Sequence, residues 1–175
     1  MDLKTVIEGR RSIRKYKDNP VEPEKIQNIL DAARLAPSWK NMQCWRFIVV
    51  EAPAVKEKAL EAFSDDNPGK KGIAMAPVLI VVCADPKDSG IEDGKEFYLA
   101  DAAIAFEHIM LAAFSEGLGT CWMGLLDEVK LKEALDIPET IKVIGVTPLG
   151  YPDQDPKPRP RKSLEEIVFK NKWGN

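Results

Sequence analysis

The sequence predicts one α+β or mixed α/β domain, a single sheet flanked by helices. Three observations predict it. Segments with helical spacing alternate with short apolar, β-branched runs. The 175 residues suffice for one compact core. No internal repeat and no linker-like shift in composition divides the chain.

The elements follow in order. Asp2 caps a short first helix with Leu3, Val6 and Ile7 on one face. Pro23 suits the first turn of a second helix, Glu24 to Ala36, whose apolar positions Ile26, Ile29, Leu30, Ala33 and Leu35 recur at helical spacing. Pro37 stops it. Phe47 to Val50 reads as a buried strand, and Pro53 opens a third helix running to about Phe63. A polar loop, Ser64 to Gly72, leads to a second strand, Val78 to Cys83. Glu96 to Glu116 is the longest helix, apolar nearly all round, which predicts burial on most sides and an oligomer contact besides. Gly117 ends it. Thr120 to Met123 is a short strand, Asp127 caps a helix from Glu128 to Leu135, and Ile141 to Leu149 is a third main strand. Tyr151 to Lys162 carries Pro152, Pro156, Pro158 and Pro160 and is expected to be extended. Ser163-Leu-Glu-Glu166 is a capping box that opens a last short helix.

Composition narrows the function classes. With 45% hydrophobic and 30% charged residues, the chain reads as a soluble globular protein. A net charge of −3 gives no global electrostatic basis for binding nucleic acid or a membrane surface. The apolar run Ala74 to Ala84 is interrupted by Pro77 and is far shorter than the roughly 20 residues a bilayer span requires. The charged start of the chain lacks a signal-like apolar segment, so the expected location is the cytoplasm. Cys44, Cys83 and Cys121 are odd in number and far apart, which disfavours a disulfide framework or a zinc site. The one histidine, His108, lies in the apolar helical stretch and reads as a satisfied core or interface residue. Redox chemistry here must come mainly from a cofactor.

Four segments carry candidate chemistry. Arg10-Arg11-Ser12-Ile13-Arg14 is a dense donor set, and in an extended stretch Arg10, Ser12 and Arg14 share a side. Arginine forks match phosphate oxygens. Lys157, Arg159 and Arg161 alternate with prolines near the other end. Two basic clusters in an otherwise acidic chain suggest one shared anionic ligand, such as a phosphate monoester; the bland reading is a solvated turn and a flexible tail. Pro37-Ser-Trp-Lys-Asn-Met-Gln43 offers donors and acceptors beside aromatics, suited to a flat heterocycle, while Trp45 reads as packing. Gly117-Leu-Gly-Thr-Cys-Trp-Met-Gly124 follows a helix rather than a strand, so it is no dinucleotide fingerprint; Gly124 can permit close approach of a ligand.

Taken in order, these segments resemble the nitroreductase family of FMN-dependent oxidoreductases over nearly the whole chain. Arg-Arg-Ser-Ile-Arg-Lys-Tyr16, Ala-Pro-Ser-x-x-Asn-x-Gln-x-Trp-x-Phe47, the apolar helix with Gly-Leu-Gly-Thr-Cys-Trp-Met-Gly124, and Gly150-Tyr-Pro followed by Pro-Arg-Pro-Arg-Lys-Ser163 carry the resemblance. It implies a mixed, mostly antiparallel sheet, an intertwined homodimer and two FMN sites at its interface. Arg10, Arg11 and Ser12 would bind the phosphate and ribityl end, with Arg159 and Arg161 completing it. Arg14 would sit nearer the pyrimidine edge. Pro37, Ser38, Trp39, Asn41 and Gln43 would line the flavin from the other subunit. Trp122, Met123 and Gly124 match the turn whose backbone N–H faces flavin N5. Asn67, Lys70 and Lys71 are the candidates for the pyrimidine edge.

The sequence departs from the family in two places. Cys44 stands where proline is common. Only about ten residues separate the second strand from the long helix, where many relatives carry a lid. An open substrate pocket is expected, and lid-dependent dehalogenation is disfavoured. The implied activity is ping-pong transfer of hydride from NADH or NADPH to the flavin and on to a nitroaromatic, a quinone or a similar acceptor. The alternatives are a flavin store or sensor without NAD(P)H turnover, which would not need the Trp122-Met123-Gly124 turn, and a helical dimerisation domain, against which the two basic clusters speak.

Overall fold

A computed structural model describes residues 1–174 of the chain. Its helices are α1 (Leu3–Gly9), α2 (Pro23–Arg34), α3 (Pro53–Leu60), α4 (Lys70–Met75), α5 (Phe97–Ser115), α6 (Glu128–Leu135) and α7 (Leu164–Ile167). Its strands are β1 (Trp45–Val50), β2 (Val78–Ala84), β3 (Ile91–Glu92), β4 (Lys95–Glu96), β5 (Gly119–Thr120) and β6 (Lys142–Gly150). The main sheet has the order β1-β2-β6-β5, with every pair antiparallel. The expected α+β architecture with an antiparallel sheet is what forms.

The sheet divides two apolar layers. All seven residues of β2 are buried, and they alternate between faces as strand geometry requires. Val78, Ile80, Val82 and Ala84 pack with α2 and α5; Leu79, Val81 and Cys83 pack with residues of α3, α4 and α6. Helix α5 is, among the described residues, long and apolar enough by length and composition to cross a membrane. Here it is the central core helix, with Ala102, Ala105, Phe106, Ile109 and Ala113 fully buried. It ends in a Schellman turn: Leu118 N–H reaches Ala113 O at 2.8 Å, Gly117 N–H reaches Phe114 O at 3.0 Å, and Gly117 takes φ +77°.

Several boundaries differ from the sequence reading. The polar loop before β2 is interrupted by α4, so Lys70 and Lys71 are helical. That six-residue helix is held by packing: Gly72 and Ile73 are buried, and an added Cβ on Gly72 would sit 3.1 Å from Arg14 O. Helix α3 stops at Leu60, not Phe63. Strand β1 is buried only at its ends, Trp45 and Val50, because it is the sheet's edge. Of the first helix's apolar face only Val6 is buried, and Leu99 and Ile104 on α5 stay exposed. The short link between β2 and α5 holds a small β3–β4 hairpin turned at Asp93 and Gly94, both at positive φ.

Candidate functional site

The two basic segments from opposite ends of the chain are zipped together. Ile13 N–H donates to Thr120 O at 2.8 Å, fixing the first segment on the β5 edge. Lys17 N–H donates to Tyr151 O and Asp153 N–H to Lys15 O, each at 2.9 Å, and Lys15 Nζ lies 2.9 Å from Asp153 Oδ2. Tyr16 and Ile13 turn inward and are buried, while their polar neighbours face out. The outcome is one open cavity of about 420 Å³ lined by Arg10, Arg11, Ser12, Arg14, Lys157, Arg159 and Arg161. The two basic clusters that the sequence reading assigns to one shared anion therefore line one cavity within a single chain.

The seven side chains are not equally available. Arg11 Nη1 donates to Glu8 O at 2.6 Å and to Arg10 O at 2.9 Å, so it also caps the exposed carbonyls ending α1. Arg10 Nε lies 3.7 Å from Glu107 Oε1 on α5, and burial pushes the Glu107 carboxyl above its ordinary value despite that cation. Beneath Ser12 lies Cys121, a buried thiol raised by desolvation against the opposing pull of Arg14, Ser12 and Arg10. Arg161 Nη1 makes only long bonds, to Arg159 O at 3.3 Å and Pro160 O at 3.4 Å.

Beside Arg14, α4 and the Trp122-Met123-Gly124 turn continue the surface. An added Cβ on Gly69 would lie 2.5 Å from Met123 Cε, so the helix entrance and the turn are in contact. Asn67 ties them: its Nδ2 donates to Leu125 O at 3.1 Å and its Oδ1 accepts from Gly69 N at 2.9 Å. Lys70 Nζ is spent on Phe63 O at 2.8 Å and Asp65 Oδ1 at 2.7 Å. Lys71, exposed and next to the Arg14 contact, has no hydrogen-bond or ion-pair partner among the described residues. Met123 N–H donates to Val146 O at 2.9 Å, whereas the backbone N–H groups of Trp122 and Gly124 have no partner among the described residues. Trp122 stacks on Phe106, centroids 4.0 Å apart, over Gly145.

None of residues 37–43 lines the cavity. This loop is held at the other end of α5, and three of its residues sit in the left-handed region: Lys40 (φ 47°), Asn41 (φ 58°) and Gln43 (φ 55°). Such conformations cost on the order of 1–3 kcal/mol each and persist only where the surroundings impose them. The imposing groups are visible. Ser38 Oγ accepts from Gln43 N at 2.9 Å, and Gln43 Nε2 donates to Asn41 O at 3.0 Å. Gln43 spends its amide nitrogen inside the loop but is exposed, as are Pro37 and Asn41, while Trp39 is half-buried. The ring of Trp39 lies under Lys40 Nζ at 4.2 Å and stacks on Phe97 at 6.2 Å. Trp45 is buried, as packing predicts.

Asp101 was not singled out from sequence. It is buried on α5 and accepts from Trp39 N at 2.9 Å and Ser89 Oγ at 3.0 Å, with Cys44 Sγ 3.8 Å away. An acidic residue within an otherwise apolar helix is the available signal, since such a group must find donors when buried. His108 is half-buried, with its Nδ1 2.9 Å from Ala32 O on α2.

Comparison with known proteins identifies the family and the fold. The sequence model of the Nitroreductase family matches residues 7–151. A protein of Methanothermobacter thermautotrophicus, whose name pairs NADH dehydrogenase with NAD(P)H nitroreductase, is 40% identical over 177 residues, covering 99% of this chain and 88% of its own. A crystal structure of a nitroreductase family protein from Clostridium novyi NT superposes with a TM-score of 0.85 at 41% identity, covering 99% of this chain and 96% of that one. An FMN-dependent nitroreductase from Clostridium difficile R20291 gives 0.84 at 31% identity, covering 97% and 99%.

Proposed function

The chain belongs to the nitroreductase family, and from that premise we propose that it is an FMN-dependent NAD(P)H oxidoreductase. It works as a homodimer in the cytoplasm on a small electron-poor acceptor. The observation that carries this reading is the single cavity built from both ends of the chain, with six cations and Ser12 on its walls. A phosphate monoester carries about two negative charges near neutral pH, and charge-assisted forks from arginine suit it.

The residues fit FMN. Arg10, Ser12, Arg159 and Arg161 hold its phosphate, with Arg11 contributing while it caps α1. Arg14 and Lys71 supply positive charge toward the pyrimidine edge. Lys71 replaces Lys70 in this role because Lys70 is engaged with Phe63 O and Asp65. Among Met123 and Gly124, the donor offered to the cofactor is the Gly124 N–H. When bound, FMN supplies ping-pong hydride transfer between NAD(P)H and the acceptor, with preorganised positive charge favouring the reduced form. No side chain is required as general acid or base.

The second copy completes the site. Pro37, Ser38, Trp39 and Asn41 stand apart from the cavity in one chain, so a partner's loop must approach it. Leu3, Ile7, Leu99, Ile104, Leu164, Ile167 and Phe169 are exposed apolar side chains that such a partner would cover. Three buried free cysteines suit a reducing compartment.

The test is direct. The purified protein should be yellow, bleach anaerobically with NADH or NADPH, and regain colour with a nitroaromatic or a quinone. Protein that takes up no FMN overturns the reading; bound FMN that NAD(P)H does not bleach identifies a flavin store or sensor instead.

A further inference from the structure

Tyr151 is the first residue past β6 and stands at the root of the C-terminal basic arm. Its hydroxyl accepts from Lys25 Nζ at 2.9 Å and donates to the Glu22 carboxylate, whose Oε2 lies at 2.7 Å. Lys25 Nζ is also 3.8 Å from that Oε2 and 4.9 Å from the centre of the Tyr151 ring. The same ammonium donates to Glu116 O at 3.0 Å, one of the carbonyls that the end of α5 leaves without a helical partner. None of Glu22, Lys25, Glu116 and Tyr151 lines the phosphate cavity.

The two bonds of Lys25 reach the anchors of both basic arms. Glu116 leads through the Gly117 turn into β5, and Thr120 O on β5 holds Ile13 N–H of the N-terminal arm. Tyr151 holds Lys17 N–H through its own carbonyl and leads into Lys157, Arg159 and Arg161. Between the two anchors, Gly119 pairs with Gly150 on β6. Lys25 therefore bolts both roots to the start of α2. The arm beyond Tyr151 carries Pro152, Pro156, Pro158 and Pro160, which fix φ and make it semi-rigid, so a displacement at its root travels to its arginines. A charge-assisted bond forms at about 2.7–2.9 Å and is gone by ~3.6 Å. A shift of about 1 Å between the arms is enough to release a phosphate contact.

We infer that Tyr151 and Lys25 are positioning residues for the cofactor phosphate: with Glu22 they fix the spacing of the Arg10 and Arg159 arms without touching the ligand. This rests on the FMN reading, because it concerns the geometry of the same phosphate site. The consequence is selective. Loss of the latch weakens a flavin that carries a phosphate and leaves riboflavin, which has none, bound as before. General loosening of the fold would weaken both.

The experiment measures the affinities of flavin-depleted protein for FMN and for riboflavin by flavin fluorescence, together with the competition of inorganic phosphate against FMN. Tyr151→Phe keeps the ring and the backbone pairing with residues 15–17 and removes the hydroxyl. Lys25→Met keeps the stem and removes the ammonium. Each is expected to weaken FMN roughly five- to twentyfold, to raise the inhibition constant of phosphate in step, and to change riboflavin by less than about twofold. Asn28→Ala removes a neighbouring bond between the same helices, from Asn28 Nδ2 to Glu116 Oε1 at 3.0 Å, and should leave the FMN-to-riboflavin ratio of affinities unchanged. Unchanged FMN affinity in both latch variants overturns the inference. Equal weakening of the two flavins does so as well, as does a ratio that falls as far in Asn28→Ala. Wild-type protein that binds no FMN overturns the FMN reading itself.

Discussion

Asp101, buried on α5, accepts a hydrogen bond from the backbone N–H of Trp39 at 2.9 Å. The same carboxylate accepts from Ser89 Oγ, and an added Cβ on neighbouring Gly90 would lie 2.6 Å from the Trp39 ring. One buried acid therefore clamps both the left-handed loop and the base of the β3–β4 hairpin. Asp101→Ala leaves the Trp39 N–H and Ser89 hydroxyl without their acceptor, at a cost of about 1–3 kcal/mol. The expected result is a lower Tm with a raised KM for the acceptor, while the rate of flavin reduction by NAD(P)H changes less. Asp101→Asn keeps one acceptor oxygen and should recover part of both effects. An unchanged acceptor KM in Asp101→Ala would refute the positioning role.

The phosphate site yields the next expectation. Arg10→Ala or Arg159→Ala each removes one charge-assisted contact, about 1.5–3 kcal/mol, and should weaken FMN roughly tenfold to a hundredfold. Arg10→Ala also leaves the half-buried Glu107 without its cation. Its loss should therefore exceed that of Arg159→Ala in thermal stability, even where the FMN affinities match. Titration of released and re-added flavin, with thermal melts alongside, separates the two terms.

Two adjacent lysines should behave differently. Lys70 is tied to Phe63 O and Asp65, whereas Lys71 has no such partner among the described residues. Lys71→Ala is expected to weaken FMN and to shift the bound-flavin absorbance without altering the melt. Lys70→Ala should do the reverse, loosening the loop ahead of α4. Equal effects of both substitutions on flavin affinity would remove Lys71 from the site.

Much of this was legible in the sequence because it depends on local rules. Asp2, Asp127 and Ser163 cap helices as their positions imply, and Gly117 ends α5 by the left-handed turn only glycine adopts cheaply. The meeting of the Arg10 and Arg159 segments followed from alternation and charge, although the zipper of residues 15–17 on 151–153 that enforces it is a long-range pairing. Features set by tertiary contacts were not legible. Helix α4 exists because Gly72 fits against Arg14, and Asp101 acquires its role from donors 12 and 62 residues away. Which lysine is spent, and that Met123 N–H is paired, likewise depends on partners the local pattern does not reveal.

The turn beside the cofactor site can be probed through Gly145. It lies on β6 beneath the Trp122 indole, and a Cβ there would approach Met123 O and Trp122 Nε1 at 3.0 Å and Phe106 at 3.1 Å. The backbone oxygen cannot yield as a side-chain tip can. Gly145→Ala should cost about 1–3 kcal/mol as overpacking and displace the Trp122–Phe106 stack. A lowered Tm with altered tryptophan emission and weaker FMN binding is expected; normal emission and affinity would show that the turn tolerates the methyl group.

Alkaline pH offers a last test, through the buried thiols. Burial pushes Cys83 up from the ordinary 9.0 to about 12, and Cys44 to about 11, with Asp101 adding to the latter. Because the folded value lies above the unfolded one, the neutral thiol is favoured in the fold. That contribution to stability is complete below about pH 9 and is lost as pH rises from there toward 12 for Cys83. The wild-type melting temperature should therefore fall through this range, and Cys83→Ala, which cannot ionise, should show a shallower fall despite a lower starting value. Identical slopes for the two proteins would mean that Cys83 is not kept neutral by its place on β2. Thiol-reactive reagents should likewise label Cys83 only as the protein unfolds, since the side chain is 1% accessible in the fold.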